Sequence, residues 1–134
     1  MSDHIYELAD LEARRFLPPG KYVGVISGAV SGVTSKGTKT VRFYIRPEEP
    51  LSGQDLEGVE LNVELKSSTF FDTQNAISIL ADTVRAVNPS AVQRGTAMEL
   101  AERIVGDKVK FDFVGRKERN GDRVFWECIN ISAA

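Results

Sequence analysis

Five segments of the chain are predicted to be β-strands from two-residue alternation or from their Val and Ile content, and a helical stretch separates the third segment from the fourth. The first segment, residues 21–33, is rich in Val and Ile and contains Gly24, Gly28 and Gly32. Glycine inside a strand marks a bulge, a sharp bend or a close approach of two backbones. We therefore expect a long and strongly curved first strand.

The other four segments are joined by recognisable turns and loops. TSKGTK, residues 34–39, has turn composition and leads into TVRFYIRP at 40–47. The third segment, VELNVELK at 59–66, alternates strictly. The last two segments, DKVKFDFVG at 107–115 and VFWECINI at 124–131, flank Asn120-Gly121, a strong signal for a β-hairpin. The sequence thus predicts five strands.

The first of two helices between the third and fourth strands is expected over residues 72–87. Its apolar positions follow helical spacing, and Asp72 is a suitable N-cap. Phe71 precedes this cap and is placed to pack against the first turn, as in a hydrophobic staple. Asn88-Pro89 is expected to end the helix.

Two further short helices are expected. Thr96 and Glu99 have the spacing of a capping box, and the apolar stripe that follows them ends before Gly106, a C-terminal signal. Residues 3–16 show weak helical spacing and precede the helix-breaking stretch LPPG at 17–20. We therefore expect an N-terminal helix or arm, residues 1–16, and a single domain over residues 17–134.

The order of predicted elements, β-β-β-α-α-β-β, favours a mainly β fold with inserted helices. A long, glycine-kinked first strand and helices between the third and fourth strands are the order found in the OB-fold, a five-stranded Greek-key barrel. Other small barrels share this order. At 134 residues the chain is long enough for one domain with a substantial core and short for two.

Charge is distributed unevenly along the chain. The net charge of −2 argues mildly against a nucleic-acid partner. Residues 34–46, however, contain four basic residues and no acidic one, and residues 108–123 contain six basic residues against three acidic ones. These two segments include the loops between the first two strands and between the last two. In an OB-fold those loops flank the ligand-binding face.

In TVRFYIRP, alternation places Arg42, Tyr44 and Arg46 on the face opposite the core. A positive groove lined by aromatic rings suits single-stranded nucleic acid, because cations attract the phosphates and bases stack on the rings. We therefore predict a non-catalytic, sequence-tolerant interface for single-stranded DNA. Its expected residues are Lys36, Lys39, Arg42, Tyr44, Arg46, Arg116, Lys117, Arg119, Arg123 and Trp126.

Two points of this prediction stay open. An exposed Arg-x-Tyr-x-Arg strand is also compatible with an ordinary solvated face, whose arginines pair with Glu60 and Glu64 of the third strand. In VFWECINI the alternation is broken, so either Phe125 or Trp126 faces outward. A core position for Trp126 is slightly favoured, and an exposed Trp126 is a second platform for stacking.

Catalytic sites, metal sites and cofactors are not expected. The chain has one cysteine, Cys128, and one histidine, His4, too few for a zinc site or a Cys–His nucleophile pair at either residue. Glu64-Leu65-Lys66 has the E-x-K form of many metal-dependent nucleases, with Asp55 as a candidate upstream carboxylate. We keep such a nuclease as a remote alternative.

No membrane association is expected. The chain has no apolar run of about 18 residues, the length that suggests a membrane-spanning helix. The first 20 residues also lack the continuous apolar centre of a secretory signal. We therefore expect a cytoplasmic protein.

Four features of the sequence carry a resemblance. They are LPPGKY at 17–22 opening a Val- and Ile-rich strand, LSG at 51–53, a helix that ends near Asn88-Pro89, and a closing strand-NG-strand unit. Together they cover most of residues 16–131 and resemble a family of small bacteriophage proteins. Some members of that family are similar to phage single-stranded DNA-binding proteins with an OB-fold.

The resemblance implies a role in phage replication or recombination, in the cytoplasm of the host cell. It also implies single-stranded DNA as the ligand, with replication or recombination proteins as partners, and a homo-oligomer is compatible with it. Many such proteins recruit partners through an acidic C-terminal tail, whereas this chain ends ECINISAA. A structural or adaptor module that binds other proteins of a phage complex is the alternative function.

Overall fold

The structure, a computed structural model, describes residues 16–92, 94–118 and 121–134. Within these residues the chain forms a mainly β fold with two short α-helices. The strands are β1 Gly20–Val33, β2 Lys39–Pro50, β3 Leu65–Lys66, β4 Phe70–Phe71, β5 Lys108–Lys117 and β6 Val124–Ala133. The helices are α1 Ile77–Val87 and α2 Ala97–Glu102, with a 3-10 turn at Pro89–Ala91 between them. The helix expected over 3–16 lies, apart from its last residue, outside the described residues.

The strands form one sheet in the order β3-β2-β1-β5-β6, and β4 pairs with β2 beside β3. Every pair of strands in the sheet is antiparallel. β1 is central, because residues 22–33 pair with β2 and residues 20–25 pair with β5. A parallel bridge between Ser67, which follows β3, and Cys128 of β6 brings the two ends of this strand order into contact.

The irregularity expected in the first strand is present as two register shifts between β1 and β2, at Val23/Gly24 and at Ile26/Gly28. A Cβ atom at Gly24 would lie 2.4 Å from the carbonyl oxygen of Arg46, so the two backbones approach too closely for any side chain. At Gly28, by contrast, a Cβ would meet no atom of the described residues within 4 Å. Gly24 is therefore needed for packing, whereas Gly28 leaves open space above the sheet.

The prediction of a full third strand is wrong. Val59, Leu61 and Leu65 of VELNVELK do pack against the core, but only Leu65–Lys66 pairs with β2. The Glu60 carboxylate accepts the backbone N–H of Asn62 at 2.8 Å, a local bond that competes with pairing between strands. A short strand that was not predicted, β4, pairs with the start of β2 instead. The sheet therefore has six strands where five were expected.

The first helix begins later than predicted. Ala76 precedes it, and no side chain caps it. Asp72, the predicted cap, instead extends the pairing of β4, since its backbone N–H donates to the carbonyl of Lys39 at 2.9 Å. Phe71 is 45% exposed and lies in β4, well before the helix, so the predicted staple is also wrong. The end of the helix at Asn88 is confirmed.

The capping box of α2 is confirmed. The hydroxyl of Thr96 accepts the backbone N–H of Glu99 at 3.2 Å, and the Glu99 carboxylate accepts the backbone N–H of Thr96 at 3.2 Å. These bonds to Thr96 lower the pKa of the Glu99 carboxyl. Gly106 follows with a φ of 95°, a left-handed conformation that favours glycine. Neither α-helix in the described part of the chain has the length and apolar composition needed to span a membrane.

The broken alternation of the last strand is a bulge. Asn130 has a φ of 54°, and its side-chain amide donates to the Asp112 carboxylate at 2.7 Å. The register between β5 and β6 shifts at this point. As a result both Cys128 and Ile131, three residues apart, are buried in the core.

The core lies between the helices and one face of the sheet. Side chains of β1, β2, β5, β6 and both helices form one buried cluster. In it, Tyr22 stacks on Phe111 with ring centroids 6.1 Å apart, and its hydroxyl donates to the carbonyl of Pro18 at 2.5 Å. Phe43 meets Phe70 edge to face at 5.7 Å. Because the helices cover this face, the opposite face of β2 is left for other contacts.

Candidate nucleic-acid interface

The face of β2 opposite the core carries Arg42, Tyr44 and Arg46, as the alternation predicted. The residues between them are buried, whereas Arg46 is exposed and Arg42 and Tyr44 are half-buried. Half-burial means that parts of these two side chains already contact protein. They are therefore held in place to a degree that a fully solvated strand face does not provide.

Arg42 and Tyr44 line an open cleft of about 280 Å³. Across the β1–β2 register, Gly28 is opposite Tyr44 and Val30 is opposite Arg42. Because the space above Gly28 is empty, a planar group has room beside the Tyr44 ring. The remaining wall of the cleft is mostly small and hydroxylic: Ser31, Gly32, Val33, Thr34, Thr40 and Thr69.

The guanidinium of Arg42 is only partly satisfied. Its Nη2 donates a hydrogen bond to the hydroxyl of Thr69, in the loop between β3 and β4. Its Nε is buried and has no hydrogen-bond partner among the described residues. A buried donor without a partner costs about 1–3 kcal/mol. An anion that draws the guanidinium into further hydrogen bonds would recover that free energy, so Arg42 is suited to bind a phosphate.

On an ordinary solvated face, the arginines of β2 would pair with Glu60 and Glu64, and these ion pairs are only partly formed. Arg46 Nη2 lies 3.9 Å from Glu64 Oε1, and both side chains are about half exposed, at 54% and 51%. Such a surface pair is worth about 0–1 kcal/mol. Glu60 makes its bond to the backbone of Asn62 rather than to an arginine. Arg42 has no acidic partner within the described residues, so the face keeps most of its positive charge.

Three lysines lie near this face, and they are not equivalent. Lys36 is exposed in the turn between β1 and β2. Lys66 was not predicted as a site residue, yet it is exposed and directly opposite Tyr44 in register. Lys39 occupies the same face of β2 as the buried Val41 and lines a separate cleft beside Asp72. Lys36 and Lys66 therefore extend the positive face, and Lys39 does not.

In the second basic segment, residues 108–123, acidic side chains pair with more of the positive charge than the sequence suggested. Arg116 Nε lies 2.8 Å from Glu127 Oε1, and Lys117 Nζ lies 3.9 Å from Asp122 Oδ1. Arg119 lies outside the described residues, as does the first residue of the predicted Asn-Gly turn. The loop therefore contributes less free positive charge than a count of its residues implies.

Phe125 and Trp126 lie on opposite faces of the β5–β6 hairpin, and each is 49% exposed. The Trp126 indole stacks on the core residue Phe113, with centroids 5.3 Å apart and planes 27° apart. Gly115 makes room for it, because a Cβ there would lie 3.2 Å from the indole. On the other face, the Arg123 guanidinium lies 5.9 Å from the Phe125 ring centroid. Both residues are thus partly exposed, and only Trp126 is packed on the core.

The groups of the E-x-K alternative are not brought together. Glu64 faces Arg46, and Asp55 lies in a loop, where its carboxylate accepts the backbone N–H of Glu57 at 3.0 Å. In the part of the chain that the structure describes, no three His, Cys, Asp or Glu side chains are grouped closely enough to hold a metal ion. Cys128 is a free thiol buried in the core, and His4 lies among the undescribed residues.

No family model matches the chain, and a search of curated proteins finds no match. The resemblance to small phage proteins therefore stays a prediction. The cleft, the charged side chains around it and the exposed rings are the features of the molecule that bear on its function.

Proposed function

We propose that this protein is a non-catalytic, sequence-tolerant single-stranded DNA-binding protein whose interface is the outer face of β2. The observation that carries the proposal is the cleft in which Arg42, with no acidic partner among the described residues, lies beside Tyr44, opposite the empty space above Gly28. This places a cation and a stacking platform next to each other with room for a nucleotide. A solvated strand face needs none of these three features.

The two cleft residues Arg42 and Tyr44 and the register partners of Tyr44, Gly28 and Lys66, each have a role in this proposal. A base stacks on the Tyr44 ring over Gly28, a contact worth roughly 1–3 kcal/mol. Arg42, two residues before Tyr44 on β2, and Lys66, opposite Tyr44 on β3, bind neighbouring phosphates. Stacking and phosphate contacts do not read the edges of the bases, so binding tolerates any sequence.

We also infer that the sheet closes into an OB-type barrel. The strand order β3-β2-β1-β5-β6 and the parallel bridge from Ser67 to Cys128 support this inference, because they place the last strand against the third. The helices lie between the third and the penultimate strand, as in that fold. In such a barrel the outer face of the second and third strands is the usual ligand surface.

The biological role in this proposal is the one that the sequence resemblance implies. The protein would coat single strands during phage replication or recombination, in the host cytoplasm, alongside replication or recombination proteins. A structural or adaptor module is the competing function, and it predicts no affinity for DNA.

Fluorescence anisotropy of a labelled oligo-dT tests the proposal. The full chain is titrated over a salt series with magnesium present, and duplex DNA and RNA serve as competitors. We expect binding that prefers single strands, weakens steeply with salt and leaves the oligonucleotide intact. Absence of binding at low salt would favour the adaptor function, and cleavage would favour the nuclease.

A matched pair of arginine variants separates the interface from general charge. Arg42→Ala removes the cation of the cleft. Arg85→Ala removes an exposed arginine on α1, where its guanidinium pairs with Asp82 at 2.8 Å. The proposal requires loss of affinity in the first variant and little change in the second.

A further inference from the structure

The β5–β6 hairpin presents an aromatic ring on a basic surface. Phe125 is opposite Arg116 in register, and Glu127 lies two residues further along the same face of β6. The bond from Arg116 to Glu127 holds that guanidinium beside β6, while the Arg116 side chain as a whole is 63% exposed. The Arg123 guanidinium is 5.9 Å from the Phe125 ring centroid, so Phe125 has one arginine neighbour on β5 and another just before β6.

This surface continues from the face that carries Tyr44. Lys66 is the register partner of Tyr44. The next residue, Ser67, forms the parallel bridge with Cys128 of β6. Both bridge partners, Ser67 and Cys128, are buried. Because side chains alternate along a strand, the residues just before them, Lys66 and Glu127, lie on the outer side, next to each other. A path therefore leads from β2 across β3 to the hairpin.

The register also gives the spacing along this path. Neighbouring strands lie about 5 Å apart, so β6 is roughly 10 Å from β2 across β3. Extending the register of the single bridge back by three residues places Phe125 beside Glu64, near the level of Arg46 on β2. A gap of roughly 10 Å corresponds to about three nucleotides at the 3.4 Å rise of stacked bases. Tyr44 and Phe125 can therefore contact the same short oligonucleotide.

We infer that Phe125 is the centre of a second nucleobase subsite, which takes a base of the same single strand that stacks on Tyr44. Arg116 and Arg123 bind the phosphates on either side of that base. This inference rests on the proposed function and extends it by naming where the strand goes. Trp126 is not part of this path, because its indole lies on the opposite face of the hairpin and stacks on Phe113.

Anisotropy measurements on variants of this hairpin test the inference. Phe125→Ala and Phe125→Leu are compared with Trp126→Phe, which keeps a ring on Phe113, and with Phe125→Trp, which keeps a ring on the path. We expect about a tenfold loss of oligo-dT affinity in the first two variants, the effect of one lost stack. The other two should bind as the wild type does. Phe125→Leu keeps the site apolar in case Phe125→Ala is unstable.

The intrinsic fluorescence of the wild type gives a second readout. Trp126 is the only tryptophan in the chain, so quenching on titration with unlabelled oligo-dT reports on that residue alone when the excitation wavelength is one that tyrosine does not absorb. We expect little quenching at saturation. Strong quenching together with wild-type affinity in the Phe125 variants would overturn the subsite while leaving the proposed function intact. Absence of wild-type binding would overturn both.

Discussion

The guanidinium of Arg42 donates a hydrogen bond to the hydroxyl of Thr69, so a neutral side chain holds the arginine beside Tyr44. An acidic partner at this position would have cancelled the charge. The hydroxyl leaves it available, and the buried Nε still lacks a partner among the described residues. This relationship is what distinguishes the β2 face from a solvated strand with paired charges.

Arg42 and Tyr44 should contribute to binding in different ways. Arg42→Ala should lower affinity and reduce the slope of log K against log salt by about 0.7, the value for one phosphate contact on a single strand. Tyr44→Ala should lower affinity with little change in slope, since stacking releases no counterions. Anisotropy titrations at four or more salt concentrations measure both. Identical slopes for the two variants would remove this division of roles.

Filling the space above Gly28 should block stacking on Tyr44. A Cβ there meets no atom within 4 Å in the part of the chain that the structure describes, so Gly28→Val should fold normally while its side chain occupies the room beside Tyr44. We expect at least a tenfold loss of oligo-dT affinity with an unchanged urea midpoint, on the scale of one lost stack. Ala86→Leu, at an exposed position of α1, is the control for added apolar bulk. Wild-type affinity in Gly28→Val would place the base elsewhere.

Ser67 should be important for stability. Its hydroxyl accepts the backbone N–H of Phe43 at 2.9 Å and donates to the carbonyl of Ser68 at 2.8 Å. Ser67→Ala leaves the buried N–H of Phe43 without a partner, which should lower the free energy of unfolding by about 1–3 kcal/mol. Urea unfolding measures this loss. Ser78→Ala, at an exposed position of α1, should change the free energy by less than about 0.5 kcal/mol.

Stability should fall in alkaline solution. Burial raises the pKa of the Cys128 thiol. Burial also raises the pKa of the Tyr22 phenol, which matters only at higher pH. Both groups keep their protons in the folded state at pH values where the unfolded chain loses them, from about 8.5 for cysteine and about 10 for tyrosine. The folded state then binds more protons, so the free energy of unfolding decreases as pH rises.

The cysteine contribution can be isolated by substitution. Below about pH 8.5 the contribution of the Cys128 thiol to the free energy of unfolding is fully present. Above that pH the contribution decreases by up to about 1.4 kcal/mol for each pH unit. Urea unfolding of the wild type and Cys128→Ala at several pH values between about 7 and 10 tests this. The variant should show a smaller decrease over that range, whatever its stability at pH 7. Parallel curves for the two proteins would contradict the assignment.

Much of the sheet could be predicted because long strands impose the two-residue period on the sequence. β1, β2, β5 and β6 all lie within a few residues of their predicted positions. The segment at 59–66 has the same period but pairs only at its end, because the local bond between Glu60 and Asn62 competes with a ladder. Alternation reports which side chains are buried, and it does not report whether the backbone has a partner strand.

The residues of the candidate site that lie on a single strand could be predicted from the sequence, whereas their partners on neighbouring strands could not. Period-two alternation is enough to place Arg42, Tyr44 and Arg46 on one face. The contributions of Gly28 and Lys66 depend on which residues lie opposite Tyr44, and that register follows from bulges in β1 and the short length of β3. The same holds for Thr69, whose loop carries no periodic signal. Partners across strands therefore had to come from the three-dimensional arrangement.

Photocrosslinking tests most directly whether a single strand lies on the β2 face. The full chain is irradiated with an oligonucleotide that contains bromodeoxyuridine, and the adducts are mapped by mass spectrometry, with Gly28→Val as the blocked control. We predict crosslinks at Tyr44, strongly reduced in the control. Crosslinks confined to other parts of the chain, or equal yields in both proteins, would contradict the placement of single-stranded DNA in this cleft.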